Sequence, residues 1–246
     1  MSNLNILVFH AIVENQINEW ADVKLKLFAQ LLEVAKSNNQ KITTINSWAE
    51  GNSGDLALSF DDGHNSDFEI VLPLLQEYGV HGTFFVIPNY VGKKGYMSWE
   101  QIKALGEAGM EIGSHSLSHP YMTNLSKEKL LIELTDSKTQ IEQHTGMETV
   151  SFAYPFGDCS GWTHKVAKKA GYKNICNSMP GLCKPEMSIL SRNSVHSNIT
   201  PDMIGQLLSP NASEIIKKKT GYSIRYGLKR ILGINNYIKL RDSIFS

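Results

Sequence analysis

Along most of the chain, short apolar runs alternate with longer segments in which apolar residues recur every three or four positions. "LNILVFHAI", "DLALSF", "HGTFFVI", "MEIGSHS" and "TVSFAYP" are runs of the first kind. They are too short for stable helices and rich in β-branched or aromatic residues, so they predict strands. Trp20, Val23, Leu27, Leu31 and Val34 recur at helical spacing and predict a helix that Asn38 and Asn39 close. Leu130, Leu134 and Ile141 mark one face of a long helix ending near Gly146, and residues 162–170 predict another that stops at Gly171. Ser66 with Glu69, and Ser98 with Gln101, have the spacing of a capping box. Gly109 is the expected end of the helix that Ser98 starts. Pro73 predicts that the helix after Ser66 is kinked or starts late. Strands alternating with helices imply parallel strands joined by crossover helices. Neither a repeat nor a linker interrupts the pattern before about residue 205. The expected organisation is one α/β domain over residues 1–205, followed by a helical extension over 206–246.

Composition adds little to the first domain and more to the second. The chain of 246 residues is 41% hydrophobic and 20% charged, as expected of a soluble globular protein. Its formal net charge is zero, which gives no case for a nucleic-acid partner. The charge is uneven, however: from Ser213 onward eight Lys/Arg face only Glu214 and Asp242, a balance of about +6. Cys159, Cys176 and Cys183 form no C-x-x-C pair, which fits a reducing compartment better than a disulfide framework. The N-terminus has no basic leader or cleavage site, and no apolar run approaches the ~18 residues of a membrane span. The expectation is a cytoplasmic protein.

Candidate chemistry collects at the ends of the predicted strands, where such folds place it. "SFDDGHNS" sets Asp61 and Asp62 side by side at the end of an apolar run. Neighbouring strand residues point to opposite faces, and a buried carboxylate is costly unless it is paired or binds a metal. "SHSLSHP" places His115 and His119 four apart, with Gly113 and Pro120 suggesting a tight turn more than a regular helix. Two histidines and one carboxylate, with open positions left over, form the pattern of a catalytic zinc or iron site. One aspartate would bind the metal while the other takes a proton from water that the metal has made acidic. His64 is expected only to line the mouth of the cleft, and His81, His144 and His164 to be solvated.

"LSFDDG", "HGTFFV", "GMEIGSHSLSHP" and "FAYPFG" together resemble the successive motifs of the polysaccharide deacetylases, the NodB-homology family, over roughly residues 4–200. The resemblance implies a distorted (β/α) barrel of about seven parallel strands. It implies a divalent metal, zinc first with iron, cobalt or nickel as alternatives, and hydrolysis of an N-acetyl or related acyl group on a sugar. Carried over by position, Asp61 is the base and Asp62, His115 and His119 are the metal ligands. In "YPFG", Tyr154 and Phe156 fall at the oxyanion and substrate, with the Phe156 N–H as an oxyanion donor.

Two features depart from the usual family pattern. Where many members carry an arginine two residues before the motif's proline, this chain has Ala153. Arg192 can supply the missing positive charge, or can belong to a surface ion pair. "FAYPFG" resembles the subgroup acting on poly-N-acetylglucosamine, in which the last strand is implied to have moved to the front of the chain. "ILVFHAI" looks like that strand, making His10 the general acid in place of the late His196, and the barrel circularly permuted. The expected substrate is an acylated sugar or glycan, a cell-surface polysaccharide or a cytoplasmic, lipid-linked or nucleotide-linked precursor. A catalytically silent carbohydrate-binding protein and an amidase for a small non-sugar substrate are the competing readings. In the basic segment, Ile224, Leu228, Ile231 and Leu232 at roughly helical spacing suggest peripheral contact with an anionic membrane, with packing of a basic helix on the barrel as the alternative.

Overall fold

The computed structural model describes residues 2–232. Its centre is a curled sheet in which β1 (Leu4–Phe9), β2 (Leu56–Asp62), β3 (Thr83–Val86), β4 (Glu111–Ser114), β5 (Ser151–Ala153) and β6 (Asn174–Cys176) lie side by side in that order. Every neighbouring pair among them is parallel. A seventh parallel strand, β7 (Asn193–Ser194), pairs with the free edge of β1. Just before it, Leu190 bridges Cys176 of β6. The segment from Leu190 to Ser194 therefore reaches from the last strand of the sheet back to the first and curls the sheet into a barrel. The N-terminal strand stands beside the aspartate strand, the order expected of a permuted chain. Leu182–Cys183 adds a short antiparallel strand to β1, and Ile42–Thr43 pairs with the start of β2.

Around the sheet run α1 (Leu25–Ser37), α2 (Ile45–Ala49), α3 (Leu72–Tyr78), α4 (Trp99–Glu107), α5 (Lys127–Thr145), α6 (Gly161–Lys169), α7 (Ile204–Leu208) and α8 (Ala212–Leu232). Strand alternation divides the core. Leu56, Leu58 and Phe60 of β2 point outward with Leu7, Phe9 and Phe84, against Phe28 and Leu31 of α1 and Ile102 and Leu105 of α4. Ala57 points inward with Ile6, Phe85, Ala153 and Cys176, and Trp48 of α2 joins that inner cluster. Ser59 and Asp61 continue the inward row of β2, and His10 continues the inward row of Ile6 and Val8.

Most predicted elements appear where the pattern put them. Ser98 and Gln101 form both halves of their capping box, and Gly146 ends α5 in the left-handed region. Two expectations fail. Trp20 and Val23 lie outside α1: the Asp22 carboxylate accepts from the N–H groups of Asn18 and Glu19 (2.7 and 2.9 Å) and closes a turn before the helix, and Val23 pairs with Ile12 in a short parallel strand. Ser66 makes no cap; its hydroxyl accepts from the Ile12 N–H (3.2 Å), tying the end of β1 to the segment after β2. The helix around Pro73 does not start late: helical backbone begins at Asn65, and the expected irregularity is a π-helical turn over Asp67–Val71 that runs directly into α3. Of the predicted extension over 206–246, the first residues belong to α7, whose Leu207 and Leu208 are buried in the barrel core, and α8 follows; residues 233–246 and the Ile231 side chain lie outside the described residues.

Candidate active site

Period-two alternation would send the side chains of Asp61 and Asp62 to opposite faces of β2. Asp62 breaks the alternation with φ of 76°. This left-handed turn brings its carboxylate round to the same cavity as Asp61. Ser116, His119 and Phe156 also have positive φ (68°, 64° and 58°), so, among the described residues, four of the five non-glycine residues in that region of the backbone surround one cleft. Such conformations cost of order 1–3 kcal/mol each and persist where the surroundings over-determine them.

The turn after β4 is held from outside the site. The Glu133 carboxylate of α5 accepts from the N–H groups of Leu117 and Ser118 (3.0 and 2.9 Å), and Ser116 Oγ accepts from the His119 N–H (2.9 Å). The segment is a tight turn, as the flanking Gly113 and Pro120 suggested. His115 Nδ1 sits 2.8 Å from the Ala153 carbonyl oxygen. That contact fixes Nδ1 as the protonated nitrogen and leaves Nε2 as a free lone pair facing the cleft. Asp62 Oδ1 lies 3.6 Å from His115 Nε2 and 3.5 Å from His119 Nε2.

One ligand atom from each of Asp62, His115 and His119 falls within 4.8 Å of the others. Asp62 Oδ1 is buried without a hydrogen-bond partner among the described residues. Burial, reinforced by His115, lowers His119 to a pKa of about 4, so it is neutral near pH 7. Burial pushes Asp62 the other way, but the neighbouring His64 and the imidazoles hold it well below the usual carboxylate range. A carboxylate with an orphaned oxygen, facing the Nε2 atoms of two imidazoles, is a donor set that fits a divalent cation.

Asp61, 3% exposed, faces Arg192, which is fully buried. The pair is bidentate: Nη1 to Oδ1 at 2.7 Å and Nη2 to Oδ2 at 2.9 Å. Arg192 also donates through Nε to the Asn177 carbonyl oxygen (3.0 Å). Burial raises the Asp61 pKa, but the Arg192 charge outweighs it and the carboxyl lies below its ordinary value. Of the two roles open to Arg192 in the sequence, this is the buried one. His10 extends β1 one residue past Phe9, the partner of Phe60, and so stands beside Asp61. Its Nδ1 is buried without a partner among the described residues. His196 lies under the indole of Trp20, their ring centres 4.4 Å apart. Burial, then the charges of His10, Arg225 and Lys218, lower His196 to about 4.

The "YPFG" turn divides the two residues predicted to act together. Phe156 is 45% exposed, with its ring stacked on Tyr121 (4.1 Å between centres) and edge-on to His119 (4.5 Å). Tyr154 is fully buried on the other side of β5, packed with Phe152, Leu130, Leu134 and Tyr172. It follows Ala153, which faces inward, so alternation sends its ring outward. Its contribution is the backbone carbonyl that accepts from the Gly157 N–H (2.9 Å) and shapes the turn.

Two residues carry more than the sequence reading gave them. His64 Nε2 lies 3.7 Å from Asp62 Oδ2, and its ring stacks on Tyr96 (5.1 Å). Asp67 is fully buried, and neither carboxyl oxygen has a hydrogen-bond partner among the described residues. Burial and the charges of Asp62 and Asp61 raise its pKa well above the usual value. The cue for Asp67 was its place beside Ser66, inside a stretch that the apolar pattern assigns to a buried helix.

The profile of the polysaccharide deacetylase family matches residues 49–175. The chain belongs to the polysaccharide deacetylase family. The matched stretch carries Asp61, Asp62, His115, His119 and Phe156, while His10 and Arg192 come from the flanks. Among curated relatives, the chain is similar to the putative polysaccharide deacetylase YxkH of Bacillus subtilis, at 28% identity over 60% of this chain and 52% of that protein. It is 35% identical to the peptidoglycan-N-acetylglucosamine deacetylase of Bacillus cereus, over 49% of this chain and 54% of that protein. The chain thus spans about half the length of the curated relatives it matches. Among solved structures, the Streptococcus pyogenes deacetylase PplD in complex with acetate superposes with a TM-score of 0.78 at 22% identity, covering 85% of this chain and 99% of that one. IcaB from Ammonifex degensii superposes with a TM-score of 0.73 at 21% identity, covering 84% and 96%. Both show the deacetylase barrel fold across the described domain.

Proposed function

We propose that the protein is a metal-dependent hydrolase that removes an N-acetyl or related acyl group from a sugar of a cell-surface polysaccharide or its precursor. The observation that carries this reading is the juxtaposition, in one cleft, of the Asp62–His115–His119 donor set and the Asp61–Arg192 ion pair. When bound at those three residues, a divalent cation, zinc first, supplies Lewis acidity that makes water a competent nucleophile near neutral pH. Asp61 then takes the proton from the attacking water. Arg192 keeps that carboxylate ionised and fixes its plane, leaving its remaining lone pairs toward the cleft. The Phe156 N–H is positioned by its left-handed turn as an oxyanion donor. His10 delivers a proton to the leaving nitrogen, which as an amine anion leaves very poorly. His196 is the weaker candidate for that step, since with a pKa of about 4 it holds no second proton to give near pH 7. That relatives include a peptidoglycan-N-acetylglucosamine deacetylase and a peptidoglycan-N-acetylmuramic acid deacetylase supports a sugar amide as the substrate class.

The test is acetate release from a panel of N-acetylated oligosaccharides, peptidoglycan fragments and small non-sugar acetamides. Each is assayed with added zinc, after chelation, and with Asp61→Asn as control. Release from a sugar that depends on metal and on Asp61 is the expected result. A protein that binds metal and sugar yet releases nothing would be a silent carbohydrate-binding relative. Release confined to non-sugar acetamides would make it an amidase.

A further inference from the structure

α8 is two-faced, and both faces are informative. Its inner face docks on the barrel beside the catalytic turn: a Cβ on Gly157 would lie 2.9 Å from Tyr222 Oη, and Tyr226 Oη donates to the Cys159 carbonyl oxygen (3.4 Å). Its outer face exposes Ile216 (63%), Ile224 (58%) and Leu228 (37%). At 3.6 residues per turn, spacings of eight and four keep these three on one side of the helix, with Thr220 between the two isoleucines. Exposed Lys217 lies within that stripe and exposed Arg225 beyond its Leu228 margin, while Lys219 leaves the helix nearer the inner face, its stem beside Gly181. Over Ala212–Leu232 the sequence carries six Lys/Arg against Glu214 alone. Two β-branched residues more than half exposed on one helix face are not explained by packing on the barrel, which uses the opposite face.

We propose that the outer face of α8 is a docking surface for an anionic lipid bilayer. The apolar stripe enters the interface, while the flanking cations meet acidic headgroups. An amphipathic helix of this kind binds by apolar burial plus charge attraction, and neither is sufficient alone. Among the described residues no helix is long and apolar enough to cross a membrane, so α8 lies on the surface and does not span it. The charge selects the partner: a protein groove would satisfy the isoleucines but leave a dense positive field without a counterpart. Because the inner face of α8 rests against the turn that holds Phe156, docking also sets the cleft close to the bilayer, where glycans attached to lipids or to the envelope are met.

The test uses the full chain. It measures co-sedimentation with vesicles of phosphatidylcholine alone, and of phosphatidylglycerol and phosphatidylcholine in equal parts, at low and high salt. Binding is expected only with the anionic vesicles and should weaken as salt rises. Ile216→Asn with Ile224→Asn should weaken it by about tenfold or more, and Lys217→Glu comparably. Acetate release from a soluble substrate should be unchanged in both variants, which separates this proposal from that of the catalytic role. Absence of binding to anionic vesicles would overturn the proposal, as would equal binding to neutral ones or indifference to the isoleucine pair. A concentration-dependent dimer abolished by Ile216→Asn and Ile224→Asn would also overturn it, by assigning the face to a second copy.

Discussion

Asp61 and Asp62 are neighbours in the chain with different partners, and the difference sets what each variant should lose. Asp62 faces two imidazoles; Asp61 faces a guanidinium. Asp62→Ala should lose bound metal and turnover together, whereas Asp61→Asn should keep metal and lose most turnover. Metal content of the two purified variants checks this, and equal metal loss would refute it. His10→Ala should lower kcat by roughly 10²–10⁴-fold with metal retained, and His196→Ala much less; steady-state assays that ranked them in reverse would move the acid role to His196. Asp67 has a signed effect on stability. Its folded-state pKa is raised, so the unfolded chain ionises more readily, and the native state loses stability as pH rises above about 4. In chelated protein, Asp67→Asn should therefore melt higher than the parent at neutral pH, with the gap closing toward pH 4. An unchanged difference across that range would show that the Asp67 carboxyl does not titrate as its surroundings demand.

Strand ends explain why much of the site was legible in the sequence. "LSFDDG" and "EIGSHS" announce both the buried strand and the polar residues that interrupt it, and the pattern fails where a contact outside the segment decides. Trp20 has helical spacing but is kept off α1 by Asp22, and Ser66 has the right distance to Glu69 but is engaged by Ile12. Tyr154 was read from its motif, when strand alternation, visible in the same residues, sends it into the core. Arg192 was left with two roles because the contact that chooses between them spans 131 residues of chain. The same strands leave little slack. A Cβ on Gly113, two residues before His115, would lie 2.6 Å from the Phe85 ring and 3.1 Å from the Ser151 carbonyl oxygen. Gly113→Ala should cost about 1–3 kcal/mol in urea unfolding, since the backbone on one side cannot move aside. It should also weaken metal binding by shifting β4.

At the scale of the molecule, the segment that closes the barrel is also the one that completes the site. Arg192 lies between Leu190, which bridges β6, and β7, which pairs with β1. Removing one partner of a buried ion pair typically costs 3–5 kcal/mol, so Arg192→Ala should unfold at markedly lower urea than the parent. Arg192→Ala combined with Asp61→Ala should cost less than the sum of the two single changes, because the second removes the charge that the first leaves stranded. Strict additivity would mean that the pair does not act as a unit. The placement of Arg192 also orders events during synthesis. Asp62, His115 and His119, and the Ala153 carbonyl that orients His115, all leave the ribosome before residue 192 does. Asp61 is therefore made without its counter-charge, and the ion pair on which the proposed hydrolysis relies forms only when the barrel shuts.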